Sequence, residues 1–591
     1  STYLNSAGKV EPPKSLTDAK RRRDWPLWKF ALDKELASFA ALEVHSKPMT
    51  MAAVRKAGYK QRPVRSHIIF SCKTDIITGT FLVPKARWVV DGTPAQMALF
   101  EHYVHSYSPA PNPVATRMMQ AAACGLGKKR HAGDIKTAFL HSRLTPSEMV
   151  PIRLPATMES TIDGTVCEFV IAQRGQYGMP SASYYWTREL RTWLLKTFSS
   201  STYSIVNLIL EPCMYIITNI VTGAITHMLV HVDDVDVIAD SDDDVAVLFA
   251  AIDSEFGLVY GNPDVMLGVH RQMSEKSGVR YLEFTMTEYV SDLHAQWVQT
   301  MSDRGTPISD RYAPAIPFPE LTQLSVLGTD THPLPGAADT AATVTLYRQL
   351  VGGLLWLSRM CMPDLLFSCS MESRVLAVAG EAHLKLAMQT LRYAYDQRHR
   401  GIRYRSDGCN QLVAAYDASD NPDPKGGKSQ YGFSIMLFDG PLDAVSKKTP
   451  RVGTSTAHNE YIAMAECARR LRFIQDLFIE MGFERFVGQT PMEGDNWAAT
   501  TQLHERRITD RNRHYLSEFH WLYELYRDKR FTPCWIDTAS NGPDIYTKGV
   551  SRQTLHKLRP LETGYLENPR PLPDITMTPT LFKEHGLAPR L

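Results

Sequence analysis

Seven carboxylates in this chain stand where a short apolar run gives way to a turn, a position from which an Asp or Glu can reach a metal ion or a proton. Asp134 closes His131-Ala-Gly-Asp134. Asp233 and Asp234 lie at the bend of Thr226-His-Met-Leu-Val-His-Val-Asp-Asp-Val-Asp-Val-Ile-Ala-Asp240, whose two β-branched runs predict a strand-turn-strand hairpin. Adjacent carboxylates on a tight hairpin repel and raise each other's pKa unless a cation intervenes. A divalent metal is the natural remedy, and an acidic tip facing water is the alternative. Downstream, Asp417 closes Leu412-Val-Ala-Ala-Tyr-Asp417, and Glu460 heads a helix in Thr454-Ser-Thr-Ala-His-Asn-Glu460. Asp495 follows Thr490-Pro-Met-Glu-Gly494, and Asp544 lies in Asn541-Gly-Pro-Asp-Ile-Tyr-Thr-Lys548. Four carboxylates on four elements could hold two ions, which none could do alone. Taken singly, each is more often a cap or a surface residue.

The elements that must carry these groups are legible in outline. Trp25, Trp28, Ala31, Leu32, Leu36 and Phe39 recur at threes and fours and predict an amphipathic helix between Leu16 and Glu43. Lys20-Arg-Arg-Arg23 at its head reads as a solvated face. His67-Ile-Ile-Phe70 and Gly79-Thr-Phe-Leu-Val83 are β-type runs, the second leading into Lys85-Ala-Arg-Trp-Val-Val90. The cations Lys85 and Arg87 suit a triphosphate and a plain surface equally. Val114 to Gly125 reads as helical, and Arg174-Gly-Gln-Tyr-Gly-Met-Pro-Ser181 as a turn-rich lead into the helix of Tyr184, Tyr185, Trp186 and Leu190. Ser241 before Asp242, Asp243 and Asp244 is an N-cap, with three carboxylates complementing the helix dipole and needing no other role. Val265 to Val269 and Tyr281 to Thr285 read as strands. Residues 300–340, rich in Pro, Gly and Thr, read as a linker. A helical stretch from Ala341 to Arg398 follows, and Gln411 to Asp417 opens a new β-containing domain.

The 591 residues exceed ordinary domain size, which predicts three or four domains, and 44% hydrophobic with 22% charged residues are ordinary for a folded soluble protein. A formal net charge of +2 leaves any nucleic-acid partner to local basic patches, such as Arg398 to Arg405 and Arg506, Arg507, Arg511 and Arg513. Nine cysteines without a CxxC indicate neither a zinc ribbon nor a disulfide framework, and reduced thiols are the simplest reading. The most apolar window, Gly352 to Asp364, is interrupted by Arg359, Pro363 and Asp364 and cannot span a bilayer. No charged-then-apolar leader is visible and the first residue is Ser1, so a processed part of something longer is expected.

Order lifts these motifs above their individual weight. Lys85-Ala-Arg-Trp-Val-Val90, Tyr107-Ser-Pro109, Asp134-Ile-Lys-Thr-Ala-Phe-Leu140, Tyr177-Gly-Met179, Val232-Asp-Asp234 and Leu267-Gly268 occur in the sequence in which copia-type (Pseudoviridae) retrotransposon reverse transcriptases carry KARLVARG, FSPV, DVKTAFLNG, YGLKQ, YVDD and a (I/L)G strand. The later set resembles the RNase H of the same elements, with forms near YxDADWAG, SSTEAEY, DNQ and ADIFTK. By this resemblance Asp134, Asp233 and Asp234 are polymerase metal ligands, and Asp417, Glu460, Asp495 and Asp544 are nuclease metal ligands. Phe139 falls at the aromatic gate against a ribose 2′-OH, and Lys85 and Arg87 lie near the incoming triphosphate. His514 and His520 match the family's two histidines, His514 as the proton-handling candidate. The chain departs from the family in several places. His231 replaces Tyr before Val-Asp-Asp, Ser181 replaces a nucleotide-seating Gln, and Leu516 replaces an acid. Asp417-Ala-Ser419 lacks a second Asp and Trp, and Ala457-His458 replaces Thr-Glu.

The resemblance implies a multidomain α+β and α/β chain, a right-hand polymerase with fingers, palm and thumb or connection, followed by an RNase H-like α/β domain. Its expected divisions are an N-terminal arm and helix over 1–60, fingers and palm over 61–300, linker and connection helices over 301–410, RNase H over 411–550 and a Pro-rich tail over 551–591. It implies an RNA-directed DNA polymerase and ribonuclease H using two Mg2+ or Mn2+ ions per active site. The expected partners are an RNA template, a DNA primer, an RNA-DNA hybrid, dNTPs and other Pol and Gag products. No membrane is implied, oligomerisation is left open, and the location is cytoplasmic, in a virus-like particle, or nuclear. The rivals are an inactive, domesticated nucleic-acid-binding protein and a relic in which only the nuclease works.

Overall fold

The structure, a computed structural model, describes residues 10–60, 62–74, 81–93, 96, 107–155, 157–158, 160–162, 164–308, 313–319, 341–419, 428–506 and 515–577. Most of the expected linker, the end of the tail and the stretch holding Arg507, Arg511, Arg513 and His514 lie outside them. The chain is a multidomain α+β protein of two compact units, one of Ser1–Pro111 with Lys129–Asn262, the other of Asn112–Lys128 with Pro263–Leu591. No described helix is long and apolar enough to cross a membrane, and all nine cysteines are free thiols.

In the first unit, strands β1 (Ser66–Thr74) and β2 (Phe81–Val90) form an antiparallel hairpin against helix α1 (Trp25–Ala41). Alternation puts Ala86, Trp88 and Val90 into the core while Lys85 and Arg87 face outward. Trp28 meets Phe70 edge-on at 5.6 Å, and the buried Glu35 accepts the Trp88 N–H at 3.0 Å. The expected helix is split, with a short helix Leu16–Arg21 preceding α1. Arg22 lies at the break and does not belong to a solvated face: its side chain is buried, paired with Asp24 at 2.7 Å and placed over the Trp28 ring.

The second sheet of this unit contains β3 (Lys129–Ile135), β4 (Tyr203–Asn207), β5 (Met214–Asn219), β6 (Ile225–His231), β7 (Asp234–Ala239) and β8 (Leu258–Gly261), in the order β8-β3-β7-β6-β5-β4. Met228, Val230, Val235, Val237 and Ala239 turn to one face and pack with Trp186, Leu190 and Leu194 of α2 (Ala182–Thr197) and Val245, Leu248, Phe249 and Ile252 of α3 (Asp242–Phe256). Ser241 caps α3 as expected, its hydroxyl accepting the Asp244 N–H at 3.3 Å. Asp244 has a further role, because its buried carboxylate accepts from Tyr203 Oη at 2.9 Å and Asn219 Nδ2 at 2.7 Å and ties α3 to the sheet.

The second unit opens with the helix Pro113–Leu126 and a four-stranded sheet of the short edge strand Val265–Met266 with β9 (Val269–Lys276), β10 (Val279–Thr285) and β11 (Ile402–Arg405). The strand expected over Val265 to Val269 is broken after Met266, since Leu267 and Gly268 take positive φ values of 51° and 78° and make a turn. Helices α4 (Thr287–Asp303), α5 (Ala341–Met360) and α6 (Glu381–Asp396) follow. The expected helical stretch to Arg398 is made of several helices, divided at Pro363, which has no N–H to continue the first, and at the extended Gly380. Between α5 and α6, Glu372 is fully buried, bonded to Thr390 Oγ1 at 2.6 Å, and burial pushes its carboxyl up to about 8 from an ordinary 4.5. A raised folded pKa means that its stabilisation is complete below the ordinary value and lost as pH rises through about 8. The melting temperature should therefore fall from pH 5 to pH 8, and Glu372→Gln should flatten that fall. An identical slope in the variant would remove Glu372 from the account.

The remaining sheet, of β12 (Val413–Ser419), β13 (Gln430–Leu437), β14 (Gly440–Lys448), β15 (Thr490–Gly494) and β16 (Phe531–Trp535), has the order β14-β13-β12-β15-β16. The first three strands are antiparallel neighbours, and β15 and β16 run parallel to β12. Helix α7 (Thr456–Glu480) packs on β12 and β13, and α8 (Asp544–Thr547) returns to β12 and β13. Residues at the head of the expected tail form α9 (Arg552–Thr563), with Leu555, Leu558 and Glu562 buried. The chain beyond it stays docked: Arg403 Nε donates to Gly564 O at 3.2 Å, and Arg570 pairs with Glu493.

Candidate metal centres

The first centre is made by strand register. Asp234 pairs with His231 across the β6–β7 hairpin and with Asp134 across β7–β3. Directly opposed residues share a face, with Cβ atoms about 5 Å apart. Asp134, Asp234 and His231 therefore share the face turned away from α2 and α3. Asp233 occupies the bend, where its carbonyl accepts the Ile135 N–H at 2.8 Å. Its neighbour Val232 has φ 59°, an unfavourable conformation for a β-branched residue, in a two-residue turn that requires it. Trp186 Nε1 donates to the Val232 carbonyl at 2.6 Å and helps to hold the turn. Asp134 is exposed, and Asp233 and Asp234 are half-buried.

The other expected residues of this centre are placed as follows. Arg87 lies over the Tyr177 ring at 5.3 Å, and Phe139 meets that ring edge-on at 5.6 Å. The Tyr177 phenol is pushed up to about 12, chiefly by burial and then by Glu35, with smaller contributions from Asp233 and Asp134. Tyr177 thus links Arg87, Phe139 and the carboxylates, a role its place in Tyr177-Gly-Met179 did not disclose. Lys85 is exposed on β2. Ser181 is fully buried at the N-cap of α2, so its hydroxyl is not presented on the surface. The preceding loop sits against β2 with the Val90 N–H donated to Tyr177 O at 2.8 Å, and Gly178 at φ 88° leaves no room for a Cβ, which would fall 2.1 Å from Val90 O. Gln176, which carried no sequence signal, fixes the same junction through His45 Nε2 at 2.8 Å and Trp88 O at 3.3 Å.

The second centre also begins in register. Ala415 of β12 pairs with Glu493 of the parallel β15; two residues further on, Asp417 still lies within β12, opposite Gly432, and Asp495 is the first residue past the end of β15. Asp544 is brought to them by the loop before α8. Asn541 Nδ2 donates to Tyr416 O at 3.2 Å, and Thr547 Oγ1 donates to Asp417 Oδ2. Carboxylate oxygens of Asp417, Asp495 and Asp544 all fall within 4.8 Å of one another. Glu460 faces them from α7, whose first turn is capped by Ser455 Oγ accepting the His458 N–H at 3.2 Å. It is buried, and its Oε2 has no hydrogen-bond partner among the described residues.

Electrostatics mark this cluster as cation-seeking. Burial pushes Asp417, Glu460, Asp495 and Asp544 all upward, and mutual repulsion adds to it, most clearly Asp417 and Asp495 acting on Glu460. Lys548 opposes the rise, with Nζ 2.9 Å from Asp544 Oδ1 and 4.0 Å from Asp417 Oδ2. It ends the very segment that marked Asp544, yet sequence reasoning gave it no role. The donor set, several buried oxygens converging from separate elements with one partnerless, fits a hard divalent cation. Of the two expected histidines, His520 is exposed and His514 lies outside the described residues. The basic run Arg398 to Arg405 is partly consumed by structure. Arg403 is held over Tyr281 and Tyr565 at 5.3 and 4.5 Å, and Arg405 pairs with Asp407 at 2.7 Å.

Fold and sites together define a multidomain α+β protein in which, among the described residues, the carboxylates that converge closely enough to hold a cation are Asp417, Asp495 and Asp544, while Asp134, Asp233 and Asp234 are neighbours by strand register and bend. No protein-family model matches the chain. It is 24% identical over 469 residues to the retrovirus-related Pol polyprotein from transposon RE1 of Arabidopsis thaliana, a match covering 79% of this chain and 29% of that protein. The corresponding protein from transposon RE2 of the same plant is 25% identical, covering 79% and 30%, and that from transposon TNT 1-94 of Nicotiana tabacum is 23% identical, covering 83% and 35%. The chain is thus similar to retrovirus-related Pol polyproteins of transposons, and it spans about a third of the length of these relatives. Among solved structures, LC11-RNase H1 from compost aligns with a TM-score of 0.19 and 15% identity, covering 23% of this chain and 93% of that one.

Proposed function

We propose that the first unit is the fingers and palm of a reverse transcriptase and that the β12–β16 sheet with α7 is its ribonuclease H, joined through the α4–α6 connection helices. The observation that carries this reading is that carboxylate oxygens of Asp417, Asp495 and Asp544, from three separate elements, converge within 4.8 Å of one another. Asp134, Asp233 and Asp234 would hold Mg2+ or Mn2+ in one centre, and Asp417, Glu460, Asp495 and Asp544 in the other. Bound there, such ions stabilise the attacking and leaving oxygens of phosphoryl transfer. The carboxylates would hold these ions where they could act on a primer 3′-OH and a dNTP α-phosphate in the first centre, and on a water and an RNA phosphodiester in the second. Arg87 and Lys85, outward on β2, face the triphosphate, and an RNA-DNA hybrid is gripped through its phosphates without sequence preference. The setting is retrotransposon replication in a cytoplasmic particle with other Pol and Gag products.

The test is primer extension on an RNA template, with cleavage of a labelled hybrid measured alongside. Absence of both activities in Mg2+ and in Mn2+ would overturn the reading. Phe139, edge-on to Tyr177 at 5.6 Å, is read as the gate that would crowd the ribose 2′-OH of an incoming nucleotide. Phe139→Ala is expected to weaken discrimination against ribonucleotides by about tenfold to a hundredfold, measured as the ratio of kcat/KM for dNTP and rNTP. An unchanged ratio would remove it as the gate.

One observation favours a second reading, nuclease activity alone. Ser181 is buried where the family's Gln seats the nucleotide. Hybrid cleavage without primer extension would select it.

A further inference from the structure

Lys548 is the last residue of the segment that delivers Asp544, and it follows α8 in an extended conformation, φ −148° and ψ 155°. That geometry returns its side chain toward its own helix. Nζ reaches Asp544 Oδ1 at 2.9 Å and Asp417 Oδ2 at 4.0 Å, so one ammonium pairs with two of the three carboxylates whose oxygens converge. These carboxylate side chains are 9% and 3% exposed, while the lysine side chain is 28% exposed. The ammonium is thus seated among desolvated anions, yet its stem still has a way out to water.

A buried set of like charges needs a counter-charge to remain assembled. A cation bridging Asp417 and Asp544 would need the oxygens that Nζ now contacts, and two cations cannot share so small a volume without strong repulsion. A lysine ammonium is a compact point charge on a flexible four-carbon stem, suited to leave such a position. An arginine fork would be less able to do so.

We propose that Lys548 is an intramolecular counter-ion for the nuclease carboxylates, holding Asp417 and Asp544 together until a divalent cation displaces its ammonium, so that this side chain sets the affinity of the centre for cations. The inference rests on the reading of this cluster as a cation site. Lys548 acts through the carboxylates as a positioning residue.

The test uses the full chain carrying Asp233→Asn and Asp234→Asn, which removes the other centre, and follows free Mn2+ by its electron paramagnetic resonance signal at neutral pH. Lys548→Gln in that background is expected to bind Mn2+ about tenfold tighter than the parent, as expected from removing one competing charge beside the ligands. Lys548→Arg, which keeps the charge on a fork less able to leave, should bind Mn2+ no tighter than the parent. Equal or weaker Mn2+ binding by Lys548→Gln, with unchanged circular dichroism, would overturn the proposal. Failure of the site itself would look different: adding Asp495→Asn to Lys548→Gln would then leave the number and affinity of bound Mn2+ unchanged.

Discussion

Asp234→Asn is expected to lower primer extension by at least about a thousandfold, the scale on which groups acting as one catalytic unit are lost, while hybrid cleavage stays within about twofold of wild type. The substitution keeps the volume and planarity of the side chain and removes one charge and one hard ligand. Asp234 is half-buried at the start of β7, opposite Asp134 and His231, and its backbone pairing is independent of its side chain. Fold and stability should therefore be nearly unchanged, and circular dichroism and melting temperature provide the check. The nuclease set lies in the other unit and shares no residue with this one. Wild-type extension by Asp234→Asn would mean that the β6–β7 carboxylates do not bind the reacting centre.

Asp495→Asn should have the converse effect. Hybrid cleavage is expected to drop by about a thousandfold, with primer extension retained. A second consequence separates function from folding. Burial and the neighbouring Asp417 both push Asp495 upward, so its ionisation is less favourable in the fold than in the unfolded chain. A folded pKa above the unfolded one makes ionisation a cost to folding, present at neutral pH and removed as pH falls toward the ordinary carboxylate range. The neutral amide removes that cost. In metal-free buffer the variant should melt about 2–4 °C higher than wild type at pH 7, and the difference should shrink toward pH 4. A variant that loses cleavage and also melts lower would instead point to lost packing, and the assignment of Asp495 would not survive it.

What could be read along the chain was local. The β6–β7 bend is legible because two β-branched runs flank Asp233 and Asp234, and the α3 cap because Ser241 precedes three aspartates. The same local logic misjudged Arg22, Asp244 and Arg403, whose partners Trp28, Tyr203 and Tyr565 fix roles that a charge run or cap pattern does not express. Helix periodicity from Ala341 onward was legible, but its interruption at Gly380 was not, because a single glycine is tolerated in many helices.

For the two centres the division is equally physical. The sequence by itself determined which residues carry charge, the order of the motifs and the bend at Asp233 and Asp234, since period-two alternation and turn chemistry act over a few residues; Asp134 and Asp417, expected at turns, lie within strands. Only the tertiary structure decided that Asp234 faces Asp134, that the carboxylates of Asp417, Asp495 and Asp544 converge, and that Glu460 faces them while Lys548 pairs with two of them. Alternation assigns a residue to a face but not to a partner strand. Register between segments tens of residues apart, and the burial that makes a carboxylate seek a cation, arise when the sheets close.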